Sequence, residues 1–309
     1  MKVKEKRKDR MMFKASFDSA GNFIKIVDAL ATMIDVATFK VAPTGLSLKA
    51  MDPSHVAMVD LQLSKGAFSD FKCDKELPIR INLTDLNRFM KRGAANDSLE
   101  LSLDQQTNKL KIKFEKGKSH RTFSLGLITE DEEEESPTPN IEFNAKFSLG
   151  TDELQRAIKD AQIIGDYITF SISEEVLTLE ASGDSGDVTI NFEELKDKQI
   201  KKGKQSAIYS LEYLADIIKA GSVSDSVEIE FSSEMPIQFS FPIQNEMGKI
   251  KYFLAPRVEE EEEEAEKEGE AEEEKEEKED RRLKKEEEPE ESESEEVSES
   301  DEESGSDEE

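Results

Sequence analysis

Four segments of the chain carry apolar residues at intervals of three and four positions, the spacing of one buried stripe on an α-helix. The predicted helices span residues 21–34, 83–92, 152–164 and 211–220. A glycine follows each of the last three, and Thr151 and Ser210, which precede the third and fourth, are residue types that cap helix N-termini. The pattern therefore predicts four amphipathic surface helices.

Between these helices, apolar and polar residues alternate as they do in strands with one buried face. The alternation is clearest over residues 99–103, 110–114, 123–127, 177–179, 188–192, 227–231 and 237–241. Many short strands with a few interspersed helices predict an α+β fold in which helices cover sheets.

The chain also repeats itself once. Four pairs of similar segments occur in the same order at offsets of 128 to 131 residues: 13–17 with 143–147, 47–50 with 178–181, 83–92 with 211–220, and 97–100 with 225–228. Because one pair could arise by chance but four in order at nearly one offset could not easily do so, the repeat predicts a duplicated domain.

Composition divides the chain further. An acidic stretch followed by Ser-Pro-Thr-Pro marks an extended connector between the two copies. The predicted organisation is a basic N-terminal extension (1–11), a first domain (12–128), the connector (129–140), a second domain (141–258) and a tail (259–309).

The tail carries most of the charge of the molecule. Residues 259–309 contain 31 acidic and 7 basic residues, a net charge of −24, whereas the whole chain has −30. A Glu- and Ser-rich segment with almost no large apolar residues buries too little surface to offset chain entropy, so we expect the tail to be disordered. Its charge also suggests an alternative function, that of an acidic chaperone for basic nucleic-acid-binding proteins.

Residues suited to catalysis are scarce. One cysteine, Cys73, excludes an internal disulfide and a zinc site built from cysteines, and two histidines leave few ways to build a catalytic pair. Residues 117–119 imitate the end of a phosphate-binding loop, but the upstream position where that motif requires glycine is Ile112. We therefore expect no enzyme activity, no metal and no cofactor. A third possible function, that of a carboxylate-metal hydrolase, would require an activity that is lost when acidic residues of the core are mutated. No apolar run approaches the length of a membrane span, so no membrane partner is expected.

The predicted helices carry cations on the faces opposite their apolar stripes. These cations are Lys25, Arg88, Lys91, Arg92, Arg156, Lys159 and Lys219. Such a pattern has two explanations: simple solvation of a helix surface, or a local basic surface that faces phosphates.

Several segments resemble one family closely. They are LKAMDPSHV at 48–56, Cys73-Asp74 followed by Asn82-Leu83, EASGD at 180–184 and, most specifically, KIKYFLAPRV at 249–258. They are similar to signature segments of the proliferating cell nuclear antigen family, the DNA sliding clamps of archaea and eukaryotes. The resemblance covers residues 12–258.

The resemblance implies a homotrimeric ring in which three duplicated chains place helices around the hole and antiparallel sheets outside. It implies a processivity factor that encircles duplex DNA, is placed there by a clamp loader, and tethers DNA polymerase and other replication and repair proteins. The helix cations would touch phosphates without reading sequence, although Ile24 and Ala31 stand where eukaryotic members often carry lysine. The location would be cytoplasmic and nucleoid-associated in an archaeon, or nuclear in a eukaryote.

The resemblance also implies a docking pocket under the connector, where client proteins insert a short glutamine-and-aromatic motif. The matching positions are Met51, His55, Val56, Pro236, Phe253, Ala255 and Pro256. Since the connector is strongly acidic, we expect a preference for peptides with basic flanks.

Ring closure requires two free strand edges, which must hide their backbone groups somewhere. The candidates are residues 119–127 of one subunit and 186–194 of the next, with Phe123, Leu125, Val188 and Ile190 at the contact. Charges on the two strands are complementary: Lys118, His120 and Arg121 on one edge, and Asp184, Asp187, Glu193 and Glu194 on the other.

Overall fold

The computed structural model describes residues 13–104, 106–129, 140–173, 176–243 and 246–257. Its helices are α1 (Gly21–Leu30), α2 (Leu83–Met90), α3 (Thr151–Ala161) and α4 (Leu211–Ile217), with 3₁₀ segments at Lys65–Ala67 and Ile218–Val223. The predicted extension, most of the connector and the predicted tail lie outside the described residues.

The first half of the chain contributes nine of the described strands. They are β1 (Phe13–Phe17), β2 (Val36–Ala42), β3 (Gly45–Met51), β4 (Ala57–Ser64), β5 (Asp70–Cys73), β6 (Leu77–Asn82), β7 (Ser98–Asp104), β8 (Lys109–Lys116) and β9 (Ser119–Gly126).

The second half contributes nine more within the described ranges. They are β10 (Ala145–Gly150), β11 (Tyr167–Ile172), β12 (Leu177–Gly183), β13 (Gly186–Phe192), β14 (Lys196–Ile200), β15 (Gln205–Ser210), β16 (Ser226–Phe231), β17 (Ile237–Ile243) and β18 (Gly248–Leu254). Each half follows the same order of one strand, a helix, five strands, a helix and three strands. The predictions of an α+β fold and a duplicated domain are confirmed.

The strands form three antiparallel sheets. Their orders are β5-β1-β7-β8-β9, β14-β10-β16-β17-β18-β4-β3-β2-β6 and β13-β12-β11-β15. The nine-stranded sheet contains strands of both halves, which meet where β4 pairs with β18 and Val59 lies opposite Tyr252. The two halves are thus joined by a continuous ladder of backbone hydrogen bonds.

Alternation along the strands fills the core, as in β10, where Ala145, Phe147 and Leu149 are buried. Edge-to-face contacts connect the aromatic side chains of the second half, with Phe170 at ring-centroid distances of 5.7 Å from Tyr209 and 6.3 Å from Phe231. Such contacts add specific geometry to the apolar area that the rings bury.

The helices lie side by side and cover the sheets with their apolar stripes. Helix α1 contacts α2 on one side and the 3₁₀ segment Ile218–Val223 on the other, and α3 contacts α4. We call α1 to α4, with turn residues 91–92 and segment Ile218–Val223, the helix layer. Contact between α1 and Ile218–Val223 joins the two halves a second time.

The four helices occur where the apolar spacing predicts them, but they end earlier. Helix α1 ends at Leu30 and α3 at Ala161, each followed by turns, and α4 tightens into 3₁₀ geometry after Ile217. Apolar residues in these final turns still face the core, so the spacing continues past the last helical residue.

One of the two predicted caps, Thr151, is wrong, and the other, Ser210, is confirmed in its position. Thr151 is the first residue of α3, and its hydroxyl donates to the Ser224 carbonyl at 2.8 Å. Ser210 occupies the N-cap position of α4 without a side-chain capping bond. The side-chain cap of α2 is Asn82, which accepts from the Asp85 N–H at 2.8 Å.

Candidate functional site

All seven helix cations predicted from the sequence lie on the exposed side of the helix layer, away from the buried stripes. In α1, for example, Lys25 is exposed between buried Phe23 and Ile26. Ile24 and Ala31 are half-buried and pack against the core. The layer therefore presents cations from both halves of the chain to solvent.

Carboxylates on the same surface neutralise three of these cations. Asp85 pairs with Arg88 at 2.7 Å, Asp28 with Lys91 at 2.7 Å, and Asp216 with Lys219 at 2.5 Å. The first and third pairs lie within one helical turn, whereas the pair of Asp28 and Lys91 joins α1 to the end of α2.

Counted over its residues, the helix layer carries no net charge. Its seven cations are matched by seven carboxylates: Asp28, Asp85, Asp152, Glu153, Asp160, Glu212 and Asp216. The surface that holds the seven cations is therefore charge-balanced rather than basic as a whole, because carboxylates lie between the cations.

The predicted docking positions come together at the ends of neighbouring strands. Met51 at the end of β3 lies opposite Met58 of β4, which lies opposite Phe253 of β18. The Val56 carbonyl accepts from the Ala255 N–H at 3.0 Å. Pro236 precedes Ile237, which pairs with Leu254, so it lies beside the same strand end.

These positions differ in accessibility. Phe253 is only 4% exposed. Met51, Val56, Pro236, Ala255 and Pro256 are half-buried, and His55 is exposed in a left-handed conformation with φ 59°. The accessible apolar surface consequently comes from the half-buried residues, with Phe253 packed beneath them.

Asp52 holds the loop between β3 and β4, a role that the sequence did not reveal. Its buried carboxylate accepts from the Ala57 N–H at 2.6 Å, the Ser54 N–H at 2.9 Å and the Tyr213 hydroxyl at 3.0 Å. Burial, and then this contact with Asp52, raise the pKa of Tyr213 above its usual value. The bond fixes the loop of the first half against α4 of the second.

The two strands predicted to close a ring are both sheet edges. Strand β9 ends the five-stranded sheet and β13 ends the four-stranded sheet. On β9, Leu125 is buried and Phe123 stacks on Phe89 of α2 with ring centroids 5.3 Å apart. On β13, Val188 and Ile190 are half-buried against the core.

Arg121, predicted to face the next subunit, forms contacts within its own chain. Its guanidinium pairs with Asp97 at 2.6 Å and donates to the Arg92 carbonyl at 2.7 Å. A buried carboxylate attracts the nearest cation strongly because it has lost its hydration. Arg121 nevertheless stays exposed, as do Lys118 and His120 on this edge, and Asp184, Asp187, Glu193 and Glu194 are exposed on or beside β13.

The described residues contain no group of three or more His, Cys, Asp or Glu side chains that could hold a metal ion. The segment that imitates a phosphate-binding loop is the hairpin turn between β8 and β9, with Gly117 at φ 58°. In the described part of the chain, no helix is both long and apolar enough to cross a membrane.

A duplicated α+β domain with cations across one helix layer and unpaired edges on β9 and β13 is the architecture of a clamp subunit. Sequence profiles agree: the N-terminal domain of proliferating cell nuclear antigen matches residues 12–136, and its C-terminal domain matches 137–257. The chain belongs to the proliferating cell nuclear antigen family.

Similar proteins extend over the same region. The DNA polymerase sliding clamp of Thermococcus onnurineus is 38% identical over 254 residues, covering 81% of this chain and all of that protein. The corresponding protein of Pyrococcus furiosus is 36% identical with the same coverage. The crystal structure of proliferating cellular nuclear antigen from Entamoeba histolytica matches with a TM-score of 0.75 and 25% identity, over 80% of this chain and all of that one.

Proposed function

We propose that this protein is a DNA sliding clamp, a processivity factor that tethers DNA polymerase to duplex DNA. The observation that carries the proposal is that both domains of the family match in order, and that relatives named DNA polymerase sliding clamp align over their whole length. The clamp acts by holding other proteins in place rather than by catalysing a reaction. Its archaeal relatives support a cytoplasmic, DNA-associated location.

Ring formation would use the free sheet edges of the chain. Three copies close head to tail when β9 of one subunit pairs with β13 of the next, because each edge otherwise leaves a row of backbone groups unpaired. The half-buried side chains of Val188 and Ile190 would then become fully buried, and acidic groups beside β13 would meet Lys118 and His120.

The helix layer would line the hole and touch the DNA backbone. Lys25, Arg92, Arg156 and Lys159 are exposed and form no ion pair within the described residues, so phosphates can reach them directly. Contacts of this kind carry no sequence information, which suits a protein that must slide.

The strand ends around Met51, Val56 and Ala255 would receive client peptides that carry a glutamine-and-aromatic motif. Half-buried apolar positions close together suit an aromatic anchor, which gains most of its binding free energy by leaving water. DNA polymerase, other replication and repair proteins and a clamp loader are the proposed clients.

The test measures both the number of subunits in the assembly and the effect of the protein on DNA synthesis. We expect light scattering to give three copies of the 34.9 kDa chain, and we expect the protein with a clamp loader to lengthen the products of DNA polymerase on a primed circle. A monomer without this activity, whose binding to basic proteins resides wholly in residues 259–309, would favour the acidic chaperone instead.

A further inference from the structure

One ion pair of the helix layer connects two different helices. Asp28 of α1 accepts from the Lys91 ammonium at 2.7 Å and from the Asn87 amide at 2.9 Å. Its pKa lies below the usual value, chiefly because of the Lys91 bond, with a further contribution from the charge of Lys219. The contacts of this carboxylate therefore join α1 to the end of α2.

Other carboxylates of the layer have no such partner. Asp152, Glu153 and Asp160 form no ion pair within the described residues, and the first two stand in the first turn of α3, where negative charge favours the helix dipole. Asp28, Asp85 and Asp216 differ in that each is bonded to a cation proposed to contact DNA.

We propose that Asp28, Asp85 and Asp216 are internal counter-ions that compete with DNA phosphates for Lys91, Arg88 and Lys219, and so weaken the hold of the clamp on duplex DNA. The inference rests on the proposed function. A phosphate that takes one of these cations must displace a carboxylate, which then recruits a cation from solution. That uptake offsets the counter-ion release that normally favours binding.

Asp28 provides the sharpest test, since its ion pair with Lys91 joins two helices rather than lying within one turn. Asp28→Asn retains the shape of the side chain and removes its charge. In the full-length protein, fluorescence anisotropy with a short blunt duplex that can thread through the ring would report affinity across about 50 to 200 mM salt. We expect tighter binding at low salt, and a plot of log affinity against log salt that is steeper by about 0.9 for each Lys91 that contacts a phosphate.

Asp160→Asn is the matched control. It removes the same charge from an exposed position in the same layer, where no ion pair exists within the described residues. We expect its salt dependence to stay close to that of the wild type. Thermal melting of both variants would verify that the fold is unchanged.

Repeating the Asp28 substitution in a protein that lacks Lys91 separates competition for that lysine from a structural effect of the substitution. If Asp28 acts through Lys91, then adding Asp28→Asn to a Lys91→Met protein should leave its salt dependence nearly unchanged. An equal effect in both backgrounds, an equal effect of Asp160→Asn, or no effect of Asp28→Asn would each overturn the inference. These results would not contradict the proposed clamp function. A wild-type protein that binds no duplex at low salt would contradict both the counter-ion inference and the proposed function.

Discussion

The carboxylate of Asp97 is almost completely buried, with 1% of its side chain exposed. Arg121 supplies the opposite charge, and the Ala94 N–H donates to the same carboxylate oxygen at 3.0 Å. The guanidinium also lies over the ring of Phe114 at 5.9 Å. Through these contacts, one side chain fastens edge strand β9 to the turn that follows α2.

Replacing Arg121 should therefore destabilise the fold. Arg121→Met keeps much of the apolar stem but leaves the buried carboxylate of Asp97 without its charged partner. We expect the free energy of unfolding to fall by about 2 kcal/mol, less than for a fully buried pair because half of the arginine side chain is exposed. Urea denaturation would measure the change.

The appropriate control makes the same substitution in a protein from which the charge of Asp97 has already been removed. In an Asp97→Asn background, Arg121→Met should cost much less, because no buried charge is left behind. Equal losses in the two backgrounds would show that Arg121 acts through packing on Phe114 rather than through the ion pair.

Residue pairings of this kind could not be predicted from the sequence. Arg121 and Asp97 are 24 positions apart, and Tyr213 and Asp52 are 161 apart, so no local spacing links them. The docking positions were available only through resemblance to the family. What local pattern did reveal was the exposure of the helix cations, since the apolar stripe determines which face of a helix meets water.

At the level of elements, periodicity was informative where one face of an element is buried. The four helices and strands such as β8 and β16 show it clearly. Strand β4 does not, because its first five residues are all buried, and a strand covered on both faces loses its alternation. Helix ends were misplaced because the chain continues in turns that still direct apolar residues inward.

The edge strand β13 carries the clearest prediction about assembly. Ile190 is half-buried, so an acidic side chain there would be desolvated when the next subunit covers the strand. We expect Ile190→Asp to give monomers in light scattering, with far-UV circular dichroism like that of the wild type. Thr189→Asp, which places the same charge on the exposed face of the same strand, should remain trimeric.

Trimers from both variants would remove β13 from the interface, and monomers from both would indicate nonspecific repulsion. Ile190 serves this test better than Phe123, the corresponding residue of β9. Phe123 stacks on Phe89 and meets the edge of Phe114, so an aspartate there would disturb the fold as well as the contact.

The strand ends at the docking positions provide a second prediction. Met51→Glu places a charge in the half-buried apolar surface and should weaken a client peptide at least 10-fold in calorimetry, since about 1.4 kcal/mol corresponds to each factor of ten. Thr44→Glu, in the exposed turn at the other end of β3, is the matched control. Equal affinities for the two variants would place the pocket elsewhere. Phe253→Ala would be less informative, because that side chain is buried and its loss creates a cavity.

At the scale of the whole molecule, the neutral helix layer limits how DNA can be held. Seven cations and seven carboxylates give no net attraction for a polyanion, and three of the cations are already paired. The two halves of the chain are nevertheless joined through β4 with β18 and through α1 with Ile218–Val223, which makes each subunit one continuous body. On the proposed function, retention on DNA would then come from a closed ring rather than from charge.

Retention should accordingly depend on topology and resist salt. Full-length protein that a clamp loader has placed on a nicked circular duplex should stay with the DNA during gel filtration in about 1 M salt, where the Debye length is only about 3 Å and phosphate contacts are screened. Cutting the circle once should release it, since a ring slides off a free end, and blocking both ends with bound streptavidin should restore retention. Release from intact circles at high salt would mean that electrostatic contacts hold the protein, and retention on open linear DNA would mean that it does not encircle the duplex.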